Sequence, residues 1–195
     1  FMKELIEKMK KEAYVIDNRI IKVDHFINHM LDSELVFKMG KEFASAFSGV
    51  TKILTIETSG IAYALATSFH MDYVPVVFAK KVRGSQSGKE VYQSKVFSYT
   101  KQVESIISVD KNFLQENDQV LIIDDFLAKG EATAGLIDLV EQSKARLVGV
   151  GIVIEKGYEK GRERILNKGI KLRSLACIKE IKDGELIFEK EGQYA

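Results

Sequence analysis

Two adjacent acids, Asp124 and Asp125, follow the apolar run VLII and precede the small-residue stretch FLAKGEATAG, which together fill residues 120–135. The apolar run reads as a buried strand, and the acids are expected where that strand opens to solvent. Gly130 with Ala128, Ala132 and Thr133 then leads into a helix. A loop that turns into a helix N-terminus offers free backbone N–H groups to an anion, and the helix dipole adds to the attraction. Carboxylates beside such a loop do not hold a phosphate themselves. They hold sugar hydroxyls or a magnesium ion. Sugar, phosphate and metal together point to a phosphorylated ribose. The blander reading is an acidic turn after a strand, and the loop that follows favours the functional one.

Two further strand ends carry unusual residues. Residues 56–60, IETSG, put Glu57, Thr58, Ser59 and Gly60 ahead of a helix, a second place where backbone N–H groups can gather around an anion. Another apolar run ends in Lys80 and Lys81, and residues 80–90, KKVRGSQSGKE, continue as a basic, glycine-containing stretch. That stretch reads as a lid over an anionic substrate in preference to a solvated loop.

Other chemistries lack their residues. There is no GxxxxGK[ST] and no GxSxG, and Gly149 and Gly151 lie inside an apolar run with no third glycine opening a helix. His25 and His29 in DHFINH would share a helix face, but no third metal ligand stands near and surface histidines are the expected reading. Cys177, in LACI, is expected in the core.

The composition narrows the field. A length of 195 residues suits one domain with a sizeable core. Lys+Arg 29 against Asp+Glu 28 leaves a net charge of +1, so the basic surplus of a protein gripping nucleic acid through its phosphates is absent. One cysteine excludes an internal disulfide and a multi-cysteine metal cluster, and it fits a reducing compartment. No stretch approaches the roughly 20 apolar residues of a membrane-spanning helix. The start, FMKELIEKMKKEA, is charged, with Phe1 preceding Met2, the expected natural start, and no signal-peptide core. A cytoplasmic location is the expectation.

The elements that must position these residues follow from periodicity. Residues 3–12 form an amphipathic pattern around Leu5, Ile6 and Met9. Residues 33–48 repeat Leu35, Met39, Phe43 and Phe47 at spacings of four, a core-facing helix stripe with Ser33 as the expected cap. Runs at 52–56, 74–79, 119–123 and 147–154 are short, β-branched and nearly continuous, as in strands covered on both faces. Helical segments at 61–70 and 132–144 follow the first and third runs. This alternation predicts a parallel α/β sheet in one domain. Residues 91–109 read as antiparallel strands forming a flap, and the chain from Ile170 on as two or three short strands.

VLIIDDFLAKGEATAG resembles the ribose-phosphate signature of type I phosphoribosyltransferases. IIKVDHFINH, KILTIETSGIA, PVVFAKK, FSYTKQ and GIVIEKGYEKGRE are similar, in the same order, to segments of the bacterial xanthine branch of that family, from about Met2 to near residue 190. The resemblance implies the type I fold: a mostly parallel central sheet flanked by helices, a small hood built from the N- and C-terminal segments, and a flexible flap, all in one domain over residues 1–195. It also implies transfer of the phosphoribosyl group of phosphoribosyl pyrophosphate (PRPP) to xanthine with magnesium, by a homodimer. Carried onto this chain, Ala128, Lys129, Gly130, Glu131 and Ala132 would bind the 5′-phosphate through backbone N–H groups. Asp124 and Asp125 would hold the ribose hydroxyls. Glu57, Thr58, Ser59 and Gly60 would form the pyrophosphate loop, with Lys80 and Lys81 in the flap. Ile21, Asn28 and Lys156 match the xanthine-contacting positions; no residue is assigned directly to metal. The family's phosphate loop carries uncharged Asn and Gln where this chain has Lys129 and Glu131. Transfer to guanine, hypoxanthine or adenine, and a non-catalytic PRPP-binding regulator, are the competing expectations.

Overall fold

The computed structural model describes residues 1–82, 90–98 and 103–190. Helix α1 (Lys3–Glu12) buries Leu5 and Met9 and matches its dipole with Glu4 in the first turn and Lys10 and Lys11 in the last. The Met2 N–H donates to the Leu175 carbonyl (2.7 Å), tying the start of the chain to its C-terminal part. A small antiparallel hairpin follows, β1 (Tyr14–Ile16) and β2 (Ile20–Lys22), turned by Asp17 and Asn18 at φ 52° and 48°.

Helix α2 (Ser33–Ala46) carries the expected stripe, with Leu35, Met39 and Phe43 buried and Phe47 buried just past its end. Its cap is Asp32, whose carboxylate accepts the Leu35 N–H (3.2 Å), so Ser33 is the first helical residue and not the cap. β3 (Lys52–Ile56) has the bounds the apolar run gave. After it come α3 (Gly60–Phe69) and β4 (Val76–Lys81), then the antiparallel pair β5 (Val91–Ser98) and β6 (Val103–Asp110). Only Ala79 of β4 is buried, so this strand is not covered on both faces as its apolar run implied.

β7 (Gln119–Leu127), α4 (Glu131–Ser143), β8 (Arg146–Lys156), α5 (Gly161–Leu166), β9 (Leu172–Lys182) and β10 (Glu185–Phe188) complete the chain. β7 runs four residues past the expected end at Ile123, and the acidic pair lies within it. The C-terminal part holds one long strand and one short one instead of several short ones, and β9 extends the parallel sheet.

The main sheet has the order β10-β9-β8-β7-β3-β4-β6-β5. Its five central strands, β9 to β4, run parallel, and antiparallel partners finish both sides. Strand residues alternate between two cores. Ile53, Leu121 and Ile123 pack with α1, α2 and α3, whereas Leu54, Val120 and Ile122 pack with α4. Gly149 and Gly151 of β8 lie under Phe47 and Phe43, where a Cβ would meet the ring carbons at 2.4 and 2.8 Å. Those glycines serve packing. The result is the mostly parallel, helix-flanked α/β sheet the sequence predicted. Among the described residues no helix is long and apolar enough to cross a membrane.

Candidate active site

The parallel strands all deliver their carboxyl ends to one edge, where an open α/β sheet binds ligands. Asp124 is fully enclosed there, beside Ile152 in the β7–β8 register. Its Oδ1 accepts the Asp125 N–H (3.0 Å), and Asp125 Oδ1 accepts the Phe126 N–H (2.8 Å). Burial, reinforced by the neighbouring Asp125, pushes the Asp124 carboxyl well above the usual carboxylate range, and the Lys81 charge opposes this. The pair was expected at an opening to solvent; neighbouring strands instead cover Asp124 and leave Asp125 partly exposed.

The loop after β3 closes over this acid. A Cβ on Gly60 would stand 2.0 Å from Thr55 Oγ1 and 3.3 Å from Asp124 Oδ1, so only glycine fits. Thr55 Oγ1 is buried and has no hydrogen-bond partner within the protein. The Glu57–Thr58 peptide is cis. Ser59 makes no side-chain cap, so it leaves the first N–H groups of α3 to the loop. Glu57 does not aim its charge at a ligand: its Oε1 accepts the Lys81 N–H (2.7 Å) while its own N–H donates to Ala79 (3.1 Å). These bonds join the 57–60 loop to the end of β4. Strand alternation then separates the two lysines. The Lys81 charge reaches Asp124, whereas Lys80 stands over the Phe78 ring at 5.7 Å, away from the acids. Residues 83–89, the heart of the expected lid, lie outside the described residues, as do Tyr99 to Gln102.

The loop of Ala128, Lys129, Gly130, Glu131 and Ala132 docks against the start of α5. Gly161 donates its N–H to the Ala128 carbonyl (2.9 Å), and a Cβ on Gly161 would strike that oxygen at 2.3 Å. Gly130, at φ 79°, takes the N-cap position of α4 without a capping side chain. One turn inside, the Thr133 hydroxyl is buried without a partner in the protein. In the sequence Thr133 stands out only as a small residue; its polarity at a helix N-terminus is the signal that marks it. An open cleft of about 810 Å³ lies alongside, lined by Lys129, Glu131, Tyr158 and residues of the α5 segment.

Lys156 ends β8 and is about half-buried. Burial lowers its ammonium pKa, the nearby Glu159 opposes that, and the charge of Arg19 in the β1–β2 turn adds to it. The hairpin therefore reaches the neighbourhood of Lys156. Ile21, on the same hairpin, is buried. Asn28 is exposed and its amide donates to Asp24 (3.2 Å). Next to it, the Ile27 carbonyl accepts the hydroxyl of the fully buried Tyr63, which fastens this segment to α3. His25 and His29 lie on a turn, not a helix, and are exposed. Cys177 is in the core, its thiol pushed up to about 12 mainly by burial.

An acid pair with Asp124 buried and Asp125 partly exposed, two loops at helix N-termini and parallel strand ends are the parts of a site for a sugar carrying phosphate groups. The chain belongs to the phosphoribosyl transferase domain family, which matches residues 33–183. Over 190 residues it is 53% identical to the xanthine phosphoribosyltransferase of Clostridium tetani, covering 96% of this chain and 100% of that one. It is 49% identical over 191 residues to the xanthine phosphoribosyltransferase of Pediococcus pentosaceus, with 96% and 100% covered. Among solved structures, an adenine phosphoribosyltransferase of Trypanosoma brucei superposes with TM-score 0.76 at 18% identity, covering 92% of this chain and 81% of that one. The enzyme of Giardia lamblia superposes with TM-score 0.73 at 19% identity, with 89% and 97% covered. At those identities the likeness is one of fold.

Proposed function

We propose that this chain transfers the phosphoribosyl group of PRPP to xanthine, giving xanthosine 5′-monophosphate and pyrophosphate in purine salvage. The observation that carries the phosphoribosyl half is the packing of Gly60 against Asp124, which sets an anion-ready loop beside a sugar-binding acid. The choice of base rests on the xanthine phosphoribosyltransferases to which the chain is similar along nearly its whole length.

In this reading Asp124 and Asp125 hold the ribose hydroxyls, and the N–H groups of residues 128–132 take the 5′-phosphate, with the Thr133 hydroxyl as a further donor. The 57–60 loop holds the pyrophosphate. The C1–O bond to pyrophosphate breaks as a ring nitrogen of the base bonds to C1 and gives up its proton. Positive charge builds on the ribose carbon, and negative charge leaves with the pyrophosphate. Lys81 sits where it can meet that departing charge. Lys156 donates to the purine 6-oxygen, which suits an oxopurine and disfavours the amino group of adenine. Asn28 can spend one amide N–H on Asp24 and offer the other to the 2-oxo group of xanthine.

No group of three or more His, Cys, Asp or Glu gathers as a metal cage among the described residues. Magnesium commonly takes one or two carboxylates together with substrate phosphates. The partly exposed Asp125 therefore suits an ion arriving with PRPP, where it would neutralise the leaving pyrophosphate. The chain works as one domain whose N- and C-terminal segments form a hood over the base, with Lys80 and Lys81 in the flap, in the cytoplasm. Exposed Phe37, Phe69 and Tyr73, whose rings meet at 6.3 and 5.7 Å, offer an apolar face for a homodimer. Sedimentation at the monomer mass would rule the dimer out. Incubation with xanthine, PRPP and magnesium is expected to yield xanthosine 5′-monophosphate; PRPP binding without any nucleotide product would overturn the enzymatic reading.

A further inference from the structure

Glu131 stands in an awkward place. It is the first residue of α4, directly after Gly130, in the loop that the proposed function gives to the 5′-phosphate. A carboxylate there is drawn to the helix N-terminus by the same open N–H groups and the same dipole that attract a phosphate. Left to itself it would compete for those groups and repel the incoming dianion.

The structure shows where that carboxylate goes. Arg164, one turn along α5, brings its Nη1 to 2.6 Å from Glu131 Oε1. The same helix begins with Gly161, whose N–H holds the Ala128 carbonyl at the other end of the loop. Thus α5 grips the loop twice, once by its backbone and once by its acid. The ion pair is open to solvent, with side-chain exposures of 44% for Arg164 and 28% for Glu131. Such a pair adds little to folding stability. Its effect falls instead on a charge brought beside it, because it decides whether the phosphate meets a bare carboxylate or a neutral pair.

We propose that Arg164 is a positioning residue for the substrate phosphate: it holds the Glu131 carboxylate out of the 128–132 loop and cancels its charge, leaving the loop's N–H groups to the dianion. This rests on assigning that loop to the 5′-phosphate. The neutral pair also lets α4 keep an acid in its first turn, where it favours the helix, without closing the anion site.

The test uses the intact chain and four proteins: native, Arg164→Ala, Glu131→Gln, and the double variant. Ribose 5-phosphate binding is measured by calorimetry, and KM for PRPP and for xanthine by steady-state kinetics. Arg164→Ala should weaken ribose 5-phosphate binding and raise KM for PRPP by about five- to tenfold, the scale of a partly screened charge. KM for xanthine and the melting temperature should barely move. Adding Glu131→Gln should bring PRPP and ribose 5-phosphate back to within about twofold of native, because the liability is the freed carboxylate. Glu131→Gln alone should bind ribose 5-phosphate more tightly than native. A double variant as weak as Arg164→Ala would overturn the proposal, since Arg164 would then act through the fold. So would native-like binding by Arg164→Ala. If the chain makes no nucleotide yet ribose 5-phosphate follows the expected pattern, the transferase reading falls and this inference stands. If turnover is seen but the pattern is not, the inference alone falls.

Discussion

Arg162 grips both carboxylate oxygens of Glu155, with Nε at 2.7 Å and Nη2 at 2.6 Å, and the Ser174 hydroxyl donates to the same group at 2.5 Å. Glu155 is completely buried, one residue before Lys156, and Arg162 follows directly on Gly161. The pair therefore clamps the turn between Lys156, proposed to meet the base, and the helix that braces the loop proposed for the 5′-phosphate.

Removing the guanidinium strands a buried carboxylate, which costs roughly 3–5 kcal/mol. For a chain of this size that lowers the melting temperature by on the order of 10 °C. Arg162→Ala should show this loss in a thermal melt, and Glu155→Gln should lose less, because it leaves no buried carboxylate stranded, although its amide nitrogen can no longer accept from the donors around it. Native-like melting of Arg162→Ala would show that the pair does not hold the turn.

Gly60 is required by space. In Gly60→Ala the new methyl would stand 2.0 Å from Thr55 Oγ1, so the loop must shift away from Asp124. Misplacement of about 1 Å can cost on the order of a hundredfold in rate. The variant is expected to lose at least about tenfold in kcat/KM. Thr55→Ala in the same chain should recover part of it, because the remaining neighbours stand at 3.3 and 3.4 Å. Full activity in Gly60→Ala would contradict this close approach.

Asp124 should make stability depend on pH in a definite sense. Its carboxyl keeps its proton to higher pH in the folded chain than in the unfolded one. That contribution is present below the ordinary carboxylate range and is lost as pH rises through the folded pKa. Asp124→Asn removes the loss and keeps an oxygen to accept the Asp125 N–H. It should be more stable than native at pH 8, with a smaller gap at pH 5, while activity falls sharply. Denaturant titrations at both pH values measure this. A gap that shrinks as pH rises would contradict it. Asp125→Asn, by removing the like charge, should let Asp124 ionise at lower pH.

Much of this arrangement was legible in the residues themselves, and the exceptions have physical causes. The run at 52–56 is continuous and apolar, so its strand ends where it was expected to end. β7 was cut short because two charges read as exposure, whereas the flanking strands bury Asp124 regardless. Ser33 and Asp32 are both cap-forming types, and only the backbone conformation distinguishes them. The β1–β2 hairpin went unread because its strands have three residues each, although Asp17 and Asn18 carried a turn signal. Lys80 and Lys81 looked equivalent until strand alternation sent them to opposite faces. The pairings of Glu131 with Arg164 and Glu155 with Arg162 join separate elements, and no periodicity within one element reveals such a contact. The acid pair and the two loops are proposed from residue type and spacing, and Ile21, Asn28 and Lys156 from resemblance alone, whereas the contacts that brace them are visible only as distances.

The most direct measurement offers xanthine, hypoxanthine, guanine and adenine separately to the enzyme with PRPP and magnesium, and follows pyrophosphate release for the native chain, Asn28→Ala and Lys156→Ala. The native chain is expected to prefer xanthine strongly, and Asn28→Ala and Lys156→Ala should both erode that preference. Native preference for another base, or an undiminished xanthine preference in both variants, would contradict it.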